Sequence, residues 1–253
     1  MKSRRLYREQ IYKCGRYTEV DIYPVFDRQK LRGPKRAATP DAQKKLNEKN
    51  ARQKFIRLIN TNFTERDIRL DLTYSKDNLP GTVEDAQKEV QNFLRRVKAY
   101  RNKNGLEAVR YVWVTEVGEK SGRIHHHMII SGDMPGYEYS RLWGKGYTTI
   151  KPLQLDPEYG AAAIAHYMIK RPVLYKRWNA SKNLKQPEVV QRDGALAGAK
   201  VHEWAAYGAD CREQIAQRYG DNVADVKPFY NDINTGVYIT INLYRLPERR
   251  RRN

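Results

Sequence analysis

The 253-residue sequence is poor in cysteine and in acidic residues, and it contains no long apolar run. Its two cysteines, Cys14 and Cys211, are too few for a disulfide framework or a structural zinc site, so we expect a reduced, cytoplasmic setting. No stretch approaches the ~20 apolar residues of a membrane span, which predicts a soluble protein with no membrane partner. Residues 1–6 are followed by no apolar segment, so the N-terminus is not expected to be a signal peptide.

Two further absences narrow the class of protein. No Gly-x-x-x-x-Gly-Lys-[Ser/Thr] segment occurs, so the chain carries no P-loop helicase of its own. Neither an internal repeat nor a long low-complexity linker is visible, which argues against a repeat array.

Positive charge is what the sequence has in excess. Forty-eight Lys and Arg against 29 Asp and Glu give a formal net charge of +19. Such an excess attracts polyanions, and contact with phosphates releases their counterions. We therefore expect nucleic acid as the partner. Composition leaves open a ribosome-like or merely basic protein, and it does not separate a binding protein from an enzyme.

Hydrophobic periodicity predicts a core that runs strand, helix, strand, strand, strand, helix. The segments are residues 67–75, 83–102, 108–117, 123–131, 146–150 and 158–170. This order predicts an α+β fold with a central antiparallel sheet of the split βαβ (ferredoxin- or RRM-like) type and helices on one face.

Weaker patterns flank this core. They are a strand over residues 17–26, a charged loop over 28–36, a helix over 40–59, a helix over 209–219, a strand over 237–244 and a basic run over 249–252. We divide the chain into three parts. Residues 1–60 form a basic N-terminal extension that packs on or near the core, residues 61–187 form the core, and residues 188–253 form a C-terminal extension with a late strand and a basic tail.

Three consecutive histidines, His125, His126 and His127, lie inside one predicted strand. Because side chains alternate along a strand, His125 and His127 share one face and His126 takes the other. Two imidazoles spaced in this way can bind one metal ion through their ring nitrogens. His126 faces the apolar side, where we expect a partly buried, hydrogen-bonded side chain. Surface histidines without a metal are the alternative.

A third ligand is available across the predicted hairpin. If the turn has an even length, Glu116 pairs opposite His125, and cross-strand partners have Cβ atoms ~4.5–5.5 Å apart on one face. An odd turn length would direct Glu116 to the other face. Mixed nitrogen and oxygen ligands suit Mg²⁺ or Mn²⁺ at a phosphate as well as Zn²⁺ at a peptide.

A second group of residues lies in the last predicted core helix. Tyr167 and Lys170 are three residues apart and so share one helix face. A tyrosine hydroxyl with an ordinary pKa near ~10 is a poor nucleophile at neutral pH. A neighbouring ammonium and a metal-polarised phosphate can each favour the phenolate or the developing charge. Tyr159 lacks a lysine three residues later, so we expect it to pack, with a second nucleophile as the alternative.

In this order, the motifs resemble those of the HUH endonucleases, specifically the single-tyrosine replication initiators (Rep proteins) of bacterial phages, plasmids and mobile elements. The three motifs correspond here to Leu72-Thr73-Tyr74, to His125-His126-His127 with Glu116 on the preceding strand, and to Tyr167 with Lys170. His126 departs from the family pattern, which has an aliphatic residue at this place. The resemblance extends over residues 67–187 and is looser outside them.

This resemblance implies a metal-dependent, site-specific single-stranded DNA endonuclease and ligase that initiates rolling-circle replication in the cytoplasm of a bacterial host. Tyr167 would form a 5′-phosphotyrosine link and leave a 3′-hydroxyl, and Lys170 would steady the phosphate or the phenolate. His125, His127 and Glu116 would hold Mg²⁺ or Mn²⁺. Single-stranded DNA or an origin hairpin would be the substrate, and a host helicase would supply unwinding.

Two alternatives are open. An HUH transposase or relaxase would share the chemistry, although the Tyr-x-x-Lys spacing favours the replication branch. A non-catalytic RRM-like nucleic-acid-binding module is the alternative from another class. Tyr111 and Trp113 could supply its stacking rings, but the Gly- and Phe-rich segment typical of such modules is missing.

Overall fold

The structure, a computed structural model, describes residues 6–25, 40–119, 121–170, 177–231 and 236–246. The predicted charged loop over 28–36 and the basic run over 249–252 lie outside these residues. In chain order the elements are β1 (Leu6–Cys14), β2 (Tyr17–Val25), α1 (Pro40–Asn62), β3 (Ile68–Leu72), a 3₁₀ turn (Lys76–Asn78), α2 (Val83–Lys103), β4 (Tyr111–Val117), β5 (Ile124–Ile130), α3 (Gly136–Trp143), β6 (Thr148–Pro152), α4 (Ala162–Met168), β7 (Asn179–Ala180), β8 (Glu188–Asp193), α5 (Gly198–Tyr207), α6 (Arg212–Tyr219), β9 (Asn222–Asn231) and β10 (Gly236–Tyr244).

The chain divides into two compact units. The central unit comprises residues 62–155 and 161–185, and the terminal unit comprises residues 1–61, 156–160 and 186–253. Contacts therefore group the two ends of the chain together in one unit, whereas the sequence was divided into two separate extensions. The predicted boundaries at residues 60 and 187 stay a prediction. None of the described helices is long and apolar enough to cross a membrane.

The central unit contains a five-stranded antiparallel sheet in the order β6-β3-β5-β4-β7. Strands β3 and β4 run parallel to each other because both pair antiparallel with β5, which lies between them. Helix α2 connects β3 to β4, so these three elements form a split βαβ unit. The predicted α+β class is confirmed.

Helices α2 and α3 cover one face of this sheet. Leu70, Leu72, Met128 and Ile130 from the strands pack against them and are fully buried. The opposite face carries His127, and α4 lies against it through the ring of Tyr167. The two faces therefore have different roles, one forming the core and one presenting polar side chains.

Helix α2 forms where the sequence predicts it. Thr82 caps its start, since the Thr82 hydroxyl accepts a hydrogen bond from the Asp85 backbone N–H at 3.0 Å. The apolar side chains of α2 recur at intervals of three and four residues, which gives one buried stripe. They are Val90, Phe93, Leu94 and Val97.

Helix α3 is absent from the predicted elements. It has only eight residues, too few for a periodic pattern, and ends at Gly144, whose φ of 61° lies in the left-handed region. Its two buried side chains, Tyr139 and Trp143, are four residues apart. The Trp143 indole N–H donates to the Thr73 carbonyl at 2.8 Å, which ties the helix to the end of β3.

The helix that carries Tyr167 is shorter than predicted. It begins at Ala162 and not at residue 158, because Asp156 closes a local turn instead of capping a helix. The Asp156 carboxylate accepts from the backbone N–H groups of Glu158 and Tyr159, and Gly160 with φ of 57° ends the turn.

The terminal unit contains a second five-stranded antiparallel sheet, in the order β8-β1-β2-β10-β9. Strands β2 and β10 and helices α1 and α6 correspond to predicted elements. Strands β1, β8 and β9 and helix α5 do not. In β1 the inward-facing series includes a carboxylate, Glu9, and in β9 a proline, Pro228, interrupts the pattern, so neither segment shows the alternation typical of a strand.

Candidate active site

The hairpin between β4 and β5 places Glu116 directly opposite His125. Its register is set by a four-residue loop: the Gly118 N–H donates to the Arg123 carbonyl at 2.9 Å, and the Gly122 N–H returns to the Gly118 carbonyl at 2.8 Å. Gly122 has a φ of 63°, which favours glycine at this place. The predicted even turn length and the predicted pairing of Glu116 with His125 are confirmed.

Three potential metal ligands meet on this face of the sheet. The ligand atoms of Glu116, His125 and His127 all lie within 4.8 Å of one another. One oxygen of the Glu116 carboxylate is 3.4 Å from Nε2 of His127 and 3.8 Å from Nε2 of His125. His127 is buried, whereas His125 and Glu116 are half-exposed, so a ligand from solvent can reach the group.

The surroundings of His127 fit a metal ligand. Its Nδ1 lies 2.7 Å from the Asp71 carboxylate. An ionised carboxylate only accepts hydrogen bonds, so Nδ1 carries the proton, and Nε2 of the neutral ring keeps its lone pair. Nε2 is buried and has no hydrogen-bond partner among the described residues. A buried polar atom without a partner is costly, and a divalent cation at this place would satisfy it.

Asp71 is the residue of this site that the sequence did not reveal. Burial acts to raise the pKa of Asp71, but hydrogen bonds from His127 and Arg69 outweigh it and hold that pKa below its ordinary value. The available signal was a carboxylate between two buried leucines of β3, pointing to the face opposite theirs. What the sequence did not supply was the register of β3 on β5, which pairs Asp71 with His127.

His126 lies on the helix-covered face of the sheet, as alternation predicts. It is fully buried, and its two ring nitrogens bond the Tyr74 hydroxyl at 2.9 Å and the Thr115 hydroxyl at 3.0 Å. Burial, with smaller contributions from His125 and His127, lowers the pKa of His126 to about 3. The ring is therefore neutral, and its role in the fold is a satisfied core contact.

Tyr167 lies beside this cluster. Its ring centroid is 4.9 Å from that of His127, with the rings inclined at 65°, and the Arg69 guanidinium carbon is 4.4 Å from its ring centroid. The side chain remains 46% exposed, which leaves it accessible to a substrate. The structure thus places a hydroxyl-bearing side chain against one of the three potential metal ligands.

Lys170 and Tyr159 are placed differently from the expectation. Helix α4 ends at Met168, so Lys170 follows the helix and does not share a helix face with Tyr167. Lys170 is exposed, and no hydrogen bond or ion pair joins it to another described residue. Tyr159 belongs to the terminal unit, and its hydroxyl donates to the Ala224 carbonyl at 3.4 Å.

The aromatic residues that suggested an RRM-like module face the helices. Trp113 is buried in the core of the central unit, and Tyr111 packs against the same core. Neither ring is on the face that carries His127, because both alternate with Val112 and Val114, and Val114 is the pairing partner of His127. Base stacking on these two rings is therefore excluded in this structure.

The comparison with protein families yields one match. Residues 67–172 match the family model of the replication-associated protein ORF2. The matched segment covers less than half of the chain, and it contains the three potential metal ligands, Tyr167 and Lys170. A search of curated proteins found no match, and a search of solved structures found none either. The family match supports a role as a replication initiator that acts on DNA.

Proposed function

We propose that the protein is a single-tyrosine HUH endonuclease: a metal-dependent, site-specific single-stranded DNA nickase and ligase that initiates rolling-circle replication. The observation that carries this proposal is the contact between Tyr167 and His127, with ring centroids 4.9 Å apart. A potential nucleophile therefore adjoins a His-His-Glu cluster with an unpartnered buried nitrogen. The match to a replication-associated family supports the assignment to replication.

In this proposal His125, His127 and Glu116 hold Mg²⁺ or Mn²⁺, whose positive charge would polarise the scissile phosphate. Asp71 fixes the ring of His127 so that Nε2 is directed to the ion. Three protein ligands leave coordination positions for phosphate oxygens and water, as in other metal sites that act on substrates.

Tyr167 is the proposed nucleophile. Its Oη loses a proton to solvent and bonds to phosphorus while the bond from phosphorus to the 3′-oxygen breaks, and the 3′-oxygen takes up a proton. The products are a 5′-phosphotyrosine and a free 3′-hydroxyl. Because one phosphodiester replaces another, attack by a 3′-hydroxyl on the tyrosyl ester rejoins the strand. Lys170 would neutralise charge on the phosphate or the phenolate, and a host helicase would supply unwinding.

The proposal is tested with a randomised pool of single-stranded oligonucleotides and Mn²⁺, followed by a denaturing protein gel. A label at the 3′ end of the DNA should migrate with the protein, whereas a label at the 5′ end should not. Tyr167→Phe should abolish the adduct. Tyr147→Phe, which alters a highly exposed tyrosine outside the cluster, is the matched control. An adduct that persists in Tyr167→Phe rejects the assignment of the nucleophile.

A second variant tests the metal. His127→Ala should abolish adduct formation and also the binding of Mn²⁺ measured by titration calorimetry in the absence of DNA. Adduct formation that is unchanged after removal of divalent ions with EDTA would contradict the proposed metal dependence.

A further inference from the structure

Arg69 connects the support of the metal-binding histidine with the ring of Tyr167. Its Nε and Nη2 donate to the two oxygens of Asp71, at 3.1 and 2.7 Å. The same carboxylate accepts the Nδ1–H of His127. The guanidinium lies 4.4 Å from the centroid of the Tyr167 ring.

We propose that Arg69 is a positioning residue that holds the ring of Tyr167 beside His127, so that the tyrosine hydroxyl meets a phosphate at the metal centre. This inference rests on the proposed function. It assigns Arg69 a role in orienting the nucleophile and none in bonding to the DNA.

Helix α4 alone gives Tyr167 little support. The helix has only seven residues, and Tyr167 is its penultimate residue. Helices this short are marginal without tertiary contacts, and the last turn of a helix frays most readily. The orientation of the ring therefore depends on what packs against it, which is the edge contact with His127 and the contact with Arg69.

The chemistry of arginine suits this role. A guanidinium is planar and can form a two-point ion pair along one edge while its flat face lies against an aromatic ring. The edge formed by Nε and Nη2 of Arg69 is occupied by Asp71. Its charge is thereby already paired inside the protein, so Arg69 is a poor counter-ion for a DNA phosphate but a well-fixed support for the ring.

Because Asp71 bonds both His127 and Arg69, one carboxylate orients a potential metal ligand and the support of the nucleophile together. A change at Arg69 would thus move the tyrosine relative to the metal centre rather than remove either one. A displacement of about 1 Å from reactive geometry lowers the rate of a reaction by about 100-fold, so this positioning matters kinetically.

The test compares Arg69→Lys and Arg69→Met with the full-length parent protein. Arg69→Lys keeps a cation for Asp71 but lacks the planar group, and Arg69→Met removes both. At saturating Mn²⁺ and DNA, we expect both variants to form the adduct about 10- to 100-fold more slowly in a single turnover. The dissociation constant for DNA should change little, and Arg69→Lys should keep the parent's affinity for Mn²⁺.

Lys151→Ala is the matched control. Lys151 is the cross-strand neighbour of Arg69 on the same face of the sheet, is exposed, and carries the same charge. It should form the adduct at the parental rate. A loss in Lys151→Ala as large as that in the Arg69 variants would show a general effect of charge and overturn the proposal, as would parental rates in both Arg69 variants.

Hydroxyl-radical footprinting read by mass spectrometry gives a measurement that needs no DNA cleavage. If Arg69 covers the ring, labelling of Tyr167 should increase in Arg69→Met, while labelling of the exposed Tyr147 should stay constant. Unchanged labelling of Tyr167 would overturn the positioning role. If the parent protein forms no adduct with any DNA, the proposed function fails, and the footprint still decides whether Arg69 holds the ring.

Discussion

The three consecutive histidines occupy two environments because the strand directs neighbouring side chains to opposite faces. His126 is enclosed with aromatic rings and two hydroxyl partners, whereas His125 and His127 face a carboxylate. A hydrophobic core that already satisfies both nitrogens of His126 leaves it no free electron pair for a metal. Identical residues thus differ in chemistry through position alone.

Replacing His126 with leucine separates these roles. His126→Leu should leave the Mn²⁺ affinity at its parental value but lower the free energy of unfolding by about 1–3 kcal/mol, because Tyr74 and Thr115 lose a buried hydrogen-bond partner. Urea unfolding and calorimetric titration measure the two quantities. A strong loss of metal binding with an intact fold would show that His126 is itself a ligand.

Asp71 offers a second test at the scale of one residue. Asp71→Asn keeps the shape of the side chain but removes the charge that orients His127 and pairs with Arg69. We expect a fall of about 10- to 100-fold in Mn²⁺ affinity, typical of lost outer-shell partners of a metal ligand. Adduct formation should recover at higher Mn²⁺. Asp77→Asn, in the exposed 3₁₀ turn, is the control and should bind Mn²⁺ as the parent does.

At the scale of elements, the hairpin and α2 show what local pattern can establish. Both follow from signals within one segment: alternation with a glycine turn in β4 and β5, and a cap with a periodic stripe in α2. The predicted helix over 158–170 was wrong at its start, because Asp156 and Pro157 are compatible with a helix cap and with a local turn alike. Packing against distant residues decides between such outcomes, and Tyr17 donates to the Asp156 carbonyl from far along the chain.

The cap of α2 provides a prediction for an element. Thr82→Ala should lower the free energy of unfolding by about 1 kcal/mol, because the Asp85 backbone N–H loses its acceptor at the start of the helix. Thr82→Ser should restore the parental value, since it keeps the hydroxyl. Urea unfolding followed by circular dichroism measures both variants. Equal stability of all three proteins would refute a stabilising cap.

At the scale of the molecule, the terminal unit places a carboxylate inside its core. Glu9 is fully buried, and its oxygens accept from Arg218 at 2.9 and 2.7 Å and from the Tyr219 hydroxyl at 2.6 Å. Burial acts to raise the pKa of Glu9, but these hydrogen bonds outweigh it, and the pKa lies below its ordinary value. The ionised form is therefore the one that the folded state prefers.

This shift predicts an acid dependence of stability. A carboxyl whose pKa is lower in the folded than in the unfolded state contributes stability above its unfolded pKa, and that contribution is lost as the pH falls through its folded pKa. The terminal unit should therefore lose stability as the pH falls below about 4.3, the ordinary pKa of glutamate. Amide hydrogen exchange of β1 and α6 at a series of pH values measures this loss.

Glu9→Gln supplies the comparison. At neutral pH it should lower the free energy of unfolding by about 3 kcal/mol, because Arg218 loses the partner of a mostly buried ion pair. Below pH 4 the difference from the parent should narrow. A constant difference at every pH would show that the charge of Glu9 contributes nothing.

The sequence by itself determined the α+β class, the hairpin, and the shared face of Glu116, His125 and His127. The reason is that strand alternation and turn length act over a few residues. Tertiary structure decided the role of Asp71 and Arg69, because β3 reaches β5 only after 56 residues of intervening chain. It also decided how the terminal unit forms, since Arg8 of β1 pairs with Asp193 of β8, 185 residues later. No local pattern encodes such pairings; they follow from burying the faces of both sheets at once.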